Sequence, residues 1–349
     1  MRSTNRSLPV KGWSFRKTIR KSDIRADVFM LQVGFVGLGG IAREHLGIVS
    51  EFPKANIAAV CDIVQENAEK AAEQYGANAY TDFDILLECE QLDALFVCVP
   101  QFARADIEEK AAQRGIHLFV EKPLGIDMET VKKKAEVLHQ SGVIVSTGYC
   151  LRYLDIIEKA KQYLVGKQIA MVRANRFDSM YGPLWWRDLS KSGGQLVDQV
   201  THNIDMMMYL AGKIKKVSAD MGLTIMKDVP GTTAPDVSSV NVVFESGAIG
   251  HIAASYIPQP DYRSSLEIMG NNFRVTIDGI ATLTIVEKDQ TISYKSNTLF
   301  YKEQDEAFLN AILTSDRSLI LSSYEEAMNT LEVTLAANES AQTGLSVYL

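Results

Sequence analysis

The chain has 349 residues, 46% of them hydrophobic and 23% charged, which is ordinary globular composition and enough length for two domains. No apolar run approaches the roughly 18–20 residues that a membrane helix needs. The net charge of −7 hides an asymmetry: residues 1–30 hold eight Lys/Arg against two Asp, a net of +6, so the rest carries −13 and offers no basic face to nucleic acid.

Residues 1–30 lack the apolar core of a secretory signal. They are Arg-rich and poor in acids, faintly as in a transit peptide, but are read as a non-native or mis-assigned, disordered extension, since Met30 directly precedes the first strand. Either way they are read as lying outside the fold.

From Leu31 the text changes. Leu31–Val36 is a short apolar strand that runs into Gly37-Leu-Gly39-Gly40-Ile41-Ala42, a GxGxxA. Its glycines permit a tight turn and let the backbone approach a pyrophosphate, and the helix expected over residues 41–52 would aim its N-terminal amides at that group. A second strand over 57–61 ends at Asp62, at the place where an acid binds the adenosine ribose hydroxyls. A carboxylate there repels a 2′-phosphate, and no Lys or Arg occurs from Asp62 to Glu69 to welcome one. The expected cofactor is therefore NAD rather than NADP.

Alternation continues, with helices over 65–74, 83–88, 102–114 and 128–140 and strands near 79 and over 94–99, 117–120 and 143–149. That pattern predicts a doubly wound parallel sheet with right-handed crossovers, a Rossmann domain over 31–150. Ligands in such sheets lie beyond the carboxyl ends of the strands, where Asp62, Pro100 and Glu121-Lys122-Pro123 fall.

A helix expected over 195–210 would put Asp198 and His202 four apart on one face. His202, with an ordinary pKa of about 6.5, suits a general base, while Asp198 would fix its tautomer or grip a hydroxyl. Lys122 at the end of the fifth strand carries a positive charge that could bind an oxygen or, if burial depresses its pKa, pass a proton. Met206-Met207-Met208 on the same helix are expected to pack against a sheet.

Beyond Lys215 the period becomes two. Phe273, Val275 and Ile277 alternate with Arg274, Thr276 and Asp278, and Pro230-Gly231, Ser246-Gly247 and Gly270-Asn271-Asn272 supply turns. This predicts an α+β domain over 151–349 with a mostly antiparallel sheet. Helices over 302–314 and 323–343 are expected to return against the cofactor domain.

The cysteines (Cys61, Cys89, Cys98, Cys150) form no CxxC and have no His at metal spacing. They are read as reduced thiols of a cytoplasmic protein. The lone His45, His117, His139 and His251 show no convergent spacing, so no metal is expected.

At His117-Leu-Phe-Val-Glu-Lys-Pro123 the sequence resembles the glucose–fructose oxidoreductase/inositol dehydrogenase/MocA family, whose fifth strand ends in EKP. Ser192-Gly-Gly-Gln-Leu-Val-Asp198-Gln-Val-Thr-His202-Asn-Ile-Asp205 is similar to the family's GGxLxDxxxHxxD. Gly148-Tyr-Cys-Leu-Arg152 and Trp186-Arg-Asp188 also fit. The resemblance spans residues 31–349. It implies a dehydrogenase acting on a polyol, sugar or sugar derivative, with Lys122, Asp198 and His202 at the reacting centre. Gly37, Gly39, Gly40, Ile41, Asp62, Pro100, Glu121 and Lys122 would hold the cofactor, and Arg152 and Trp186 would touch substrate. It also implies an open sheet whose outer face makes a homodimer or homotetramer. Two positions depart from the pattern: Val200 stands where many members have Gly, and Arg104 where His is frequent. The family also contains enzymes that use bound NAD transiently to cleave glycosides, and non-enzymatic sensors.

Overall fold

The computed structural model describes residues 30–179, 182–258 and 260–349. The expected extension thus lies, but for Met30, outside the described residues. Six strands, β1 (Leu31–Val36), β2 (Ala55–Cys61), β3 (Asn78–Tyr80), β4 (Ala94–Val97), β5 (His117–Val120) and β6 (Val145–Thr147), form one sheet in the order β3-β2-β1-β4-β5-β6. Every pairing in it is parallel. Helices α1 (Gly40–Glu51), α2 (Gln65–Tyr75), α3 (Phe83–Cys89), α4 (Ile107–Gln113) and α5 (Met128–Ser141) link the strands. The strand order reverses between β1 and β4, so a crevice opens at their carboxyl ends.

The chain then crosses by α6 (Asp155–Leu164) to β7 (Ile169–Phe177), and by α7 (Leu189–Ser192), α8 (Gln195–Asp198) and α9 (Thr201–Ala211) to β8 (Ile214–Gly222). Next come β9 (Val237–Phe244), β10 (Ile249–Ser255), β11 (Arg263–Gly270), β12 (Phe273–Asp278), β13 (Thr282–Glu287) and β14 (Thr291–Lys295). After α10 (Phe300–Thr314) and α11 (Tyr324–Thr343), β15 (Val347–Tyr348) closes a nine-stranded sheet of order β14-β13-β12-β11-β7-β10-β9-β8-β15. Its pairs are antiparallel except β7 with β10.

Period-two alternation decides which face of this sheet is covered. Phe273, Val275 and Ile277, with Val240, Val242 and Phe244, turn inward onto α6, α9 and α11, where Met206 and Met207 join the core. Each such side chain contributes about 1.5–3 kcal/mol by leaving water. The opposite face presents Arg173, Ser239, Asn241 and Glu267.

The last helices return to the first sheet. Phe308, Leu309 and Ala311 of α10 pack with Leu31, Phe35, Phe96 and Phe119, and Tyr324, Ala327 and Leu331 of α11 pack with Val97, Leu118 and Val120.

Two helices differ from expectation. The segment after β4 is a 3-10 turn, Gln101–Ala103, followed by α4, because Ala105 takes a positive φ of 44° between them. Gln195–Leu210 is also broken: Val200 N–H donates to Gln195 O, one residue beyond the α-helical step, and re-aims the chain between α8 and α9. Val200 itself is buried in the core beneath the large sheet, so its isopropyl group is used for packing.

Candidate active site

One cleft of about 980 Å³ lies beyond the carboxyl ends of β1, β2, β4 and β5, and β7, α8 and α9 supply its far wall. At its floor Gly37 takes a φ of +80°, and a Cβ there would stand 2.9 Å from the Cys98 carbonyl and the Val99 nitrogen. Only glycine fits this turn. Gly39 and Gly40, which start α1, have no atom within 4 Å of a built Cβ. The loop therefore leaves open space above bare backbone at a helix N-terminus, which fits a pyrophosphate.

Asp62 closes β2 beside this loop. Its Oδ2 accepts from Leu38 N–H at 2.8 Å and its Oδ1 from Val64 N–H at 2.9 Å. The carboxylate is thereby aimed along the cleft wall, next to Ile63, an apolar side chain left 93% exposed. A ribose diol and an adenine face are the groups that such a pair would take. Pro100, Ile41, Glu121 and Lys122 also line the cleft.

Glu121 is nearly fully buried, and Gly148 is bare where a Cβ would come within 2.6 Å of the Glu121 carboxylate. Glu121 Oε2 accepts from Lys122 N–H at 3.1 Å. Arg104, at the position where family members often have His, is buried and donates to the carbonyls of Val99, Glu121 and Leu124. It ties the ends of β4 and β5 together, so the substitution has a structural use. Lys122 Nζ donates to the backbone carbonyl of Asp198 at 2.9 Å, which carries the first sheet's lysine across to α8.

His202, in the first turn of α9, lines the same cleft. Burial, then the positive charges of Lys122 and Arg176, push its pKa well below 6.5. The ring is neutral near pH 7, with Nδ1 lacking a partner among the described residues. It makes an edge contact with the Tyr149 ring, 5.9 Å between centroids, and Tyr149 Oη is 2.8 Å from Thr201 Oγ1.

The expectation that the Asp198 carboxylate orients His202 across one helix is corrected. The two residues sit on different helices, and Asp198 Oδ2 accepts instead from Gln199 Nε2 at 2.9 Å. Asp198 remains in the cleft wall with Lys122 and His202.

Arg152 is a second correction. It is buried behind the cleft, with Nε and Nη2 on the Asp205 carboxylate at 2.9 and 2.7 Å and Nη1 on Glu326 at 2.9 Å. Its donors are consumed by the protein, so it fastens α9 and α11 and does not touch the cleft. Trp186 does line the cleft, beside Trp185, whose ring lies 5.5 Å from Phe102. Gln101 Nε2 bonds the carbonyls of Lys191 and Ser192, both at 3.1 Å, and stitches the end of β4 to α7.

Sequence reasoning missed His45, Asp305 and Arg176. His45, inside α1, lies between Asp305 at 2.7 Å and Glu121 at 3.1 Å. Those partners are 260 and 76 residues away, so no local spacing announces them. Among the described residues, no His/Cys/Asp/Glu group is arranged to hold a metal ion, and no helix is long and apolar enough to cross a membrane.

Two family models match the chain: an oxidoreductase family with NAD-binding Rossmann fold over residues 31–149, and the GFO/IDH/MocA C-terminal domain over residues 164–276. The chain belongs to the Gfo/Idh/MocA oxidoreductase family. Its cofactor is NAD, and the bare glycine loop and Asp62 fit that molecule.

Among Gfo/Idh/MocA relatives, myo-inositol 2-dehydrogenase of Thermotoga maritima is 25% identical, over 91% of this chain and 98% of its own. The scyllo-inositol 2-dehydrogenase (NAD(+)) of Bacillus subtilis is 25% identical, over 90% and 95%. In fold, the chain is similar to the WlbA dehydrogenase of Bordetella pertussis, solved with NADH and UDP-GlcNAcA, at a TM-score of 0.81 and 21% identity over 92% of this chain and 99% of that one.

Proposed function

We propose that this Gfo/Idh/MocA enzyme oxidises a secondary alcohol of a polyol or sugar-like substrate, with NAD preferred over NADP. The observation that carries the reading is the convergence of Lys122 from the first sheet with Asp198 and His202 from α8 and α9 in the cleft that the glycine loop and Asp62 also line. The inositol dehydrogenases among its relatives support the substrate class.

NAD, held over the glycine loop and beside Asp62, would supply the acceptor for a hydride from the alcohol carbon. The chain supplies the rest. Lys122, anchored on the Asp198 carbonyl, places a positive charge where oxyanion character develops on the substrate oxygen. His202, kept neutral by burial and two nearby cations, has a ring nitrogen ready to take the hydroxyl proton. Asp198 and Gln199 offer polar atoms to neighbouring hydroxyls, and Trp186 offers an apolar face to a sugar ring. Glu121 holds the Lys122 amide and so fixes the height of the lysine in the cleft.

Asp62 would set the cofactor preference, since a carboxylate at the end of β2 favours ribose hydroxyls and repels a 2′-phosphate. The reading takes 31–150 and 151–349 as the two working units and the enzyme as cytoplasmic, in keeping with four free cysteines. It also takes the chain as a dimer or tetramer through the face of the large sheet that no helix among the described residues covers.

The test is a panel of polyols and sugars monitored for NADH absorbance, with NAD and NADP in parallel. Turnover of a cyclic polyol or sugar with NAD is the expected result. Binding of NAD with conversion of none of them would overturn the reading, and tighter binding of NADP would overturn the Asp62 argument. Light scattering of the purified protein reads the assembly.

A further inference from the structure

Arg176 stands on the substrate wall of the cleft. It lies at the end of β7, lining the cleft with Lys122, Gln199, His202, Tyr262 and Ser264. Its side chain is only 13% exposed. Nη2 donates to Gln199 Oε1 at 3.1 Å and to Asp178 Oδ2 at 3.3 Å, and the guanidinium lies 5.4 Å from the Tyr262 ring centroid. Nε is buried and has no partner among the described residues.

These contacts fix the guanidinium plane without using up its donors. A guanidinium has five N–H groups in a planar fork that matches an oxyanion two bonds at a time. Asp178 lies farther from Arg176 than the 2.7 Å at which Asp205 meets Arg152, and its side chain is 30% exposed. Screening by water weakens such a pairing. Lys122 adds a second cation to the same wall, and the acids near it are already engaged, Asp198 by Gln199 and Glu121 by His45 and the Lys122 amide. A neutral polyol can offer a fixed guanidinium only hydroxyl oxygens, whereas an anionic substituent adds its charge and a bidentate match.

We propose that the substrate carries an oxyanion group, a carboxylate or a phosphate, which Arg176 receives while a neighbouring alcohol carbon faces Lys122 and His202. Gln199 makes one small molecule able to reach both: it holds Arg176 and sits in the turn between Asp198 and His202. The inference rests on the dehydrogenase reading above and narrows it from polyols and sugars in general to acidic ones.

The experiment uses the full chain saturated with NAD. Glucuronate, glucose 6-phosphate, glucose and myo-inositol are compared as substrates by NADH formation, and as ligands by the shift of the thermal midpoint. The expected result is a charged compound preferred over glucose by roughly 10–100-fold in kcat/KM or in affinity, the worth of one charge-assisted contact. The carboxylate and phosphate arms identify the anion. In Arg176→Gln that charged-to-neutral ratio collapses towards one through KM, and Arg176→Lys keeps part of it. If Arg176→Gln does not fold, the wild-type ratio and Arg176→Lys decide. Neutral compounds bound or converted as well as the charged ones overturn the inference and leave the dehydrogenase reading standing. Failure of all four to bind or react overturns that reading, and the inference with it.

Discussion

His45 Nε2 lies 3.1 Å from Glu121 Oε1, and this contact fastens the helix behind the glycine loop to the strand end that carries Lys122. Asp305 of α10 completes the arrangement, 2.7 Å from Nδ1. Both ring nitrogens face carboxylate oxygens, so both donate and the ring is an imidazolium. Burial alone would pull its pKa down; the charge and hydrogen bond of Asp305, then those of Glu121, outweigh burial and hold it at about 10.

A folded pKa raised from 6.5 to about 10 gives stability that is fully present below pH 6.5 and is lost as pH rises through 10. The thermal midpoint of the wild type is expected to fall across that window. His45→Gln should be less stable at pH 6 and show a flatter decline towards pH 10. Denaturation scans at several pH values check it, and parallel curves for the two proteins would remove His45 as the titrating group.

Two neighbouring glycines should fail in different ways. Gly37→Ala forces a side chain into a left-handed turn and against the Cys98 carbonyl, so it should cost about 1–3 kcal/mol of stability. Gly39→Ala meets no protein atom, so it should fold normally. Its methyl group would instead occupy the approach to the pyrophosphate, and the Kd for NAD should rise roughly 5- to 150-fold, the affinity equivalent of overpacking by about 1–3 kcal/mol. Melting curves and NAD titrations separate the two, and unchanged NAD affinity in Gly39→Ala would place the cofactor elsewhere.

Lys122→Ala and His202→Ala should each lower kcat by roughly 10²–10⁴-fold, as for a positioned acid–base group. NAD affinity should change little, because the glycine loop and Asp62 are untouched. Since His202 titrates well below 6.5, the acid limb of kcat/KM that it sets should also lie below pH 6.5. Removing the nearby charge in Lys122→Met should move the imidazole titration upward, which NMR reads without turnover. An imidazole pKa that does not respond would mean Lys122 does not face His202.

Arg152→Gln tests the correction made to that residue. It strands the Asp205 carboxylate, buried and already pushed up by burial, without its partner. Breaking a buried pair costs about 3–5 kcal/mol. Stability should therefore fall by that order in chemical denaturation, while the KM for substrate in the folded enzyme stays within about twofold. A large KM change with intact stability would return Arg152 to the substrate.

The cofactor half was legible because its signals are local. Strand, glycine turn and helix follow one another between Leu31 and Glu51, and β5 and α3 begin at His117 and Phe83 as the sequence pattern places them. The convergence of Lys122, Asp198 and His202 could be read from motif order. Their mutual geometry could not, since the break at Gln199–Val200 contains neither Gly nor Pro and arises from a hydrogen bond to Gln195. The Arg152 reading failed for a related reason. Its partners, Asp205 and Glu326, lie 53 and 174 residues away, and only their contact shows that its charge is already used. Arg176 was hidden in the same manner, on a strand whose alternation describes burial and is silent on charge.

The aromatic face of the first sheet has its covering side chains, Phe308 and Leu309, encoded far downstream, as is the acid that holds His45. During synthesis the strands and glycine loop leave the ribosome long before α10 exists. Until then Phe35, Phe96 and Phe119 lack part of their cover, and His45 has one carboxylate instead of two. The nucleotide-binding half is therefore first to be translated and among the last to be completed, and a ribosome that stalls before α10 leaves an apolar surface for chaperones to guard.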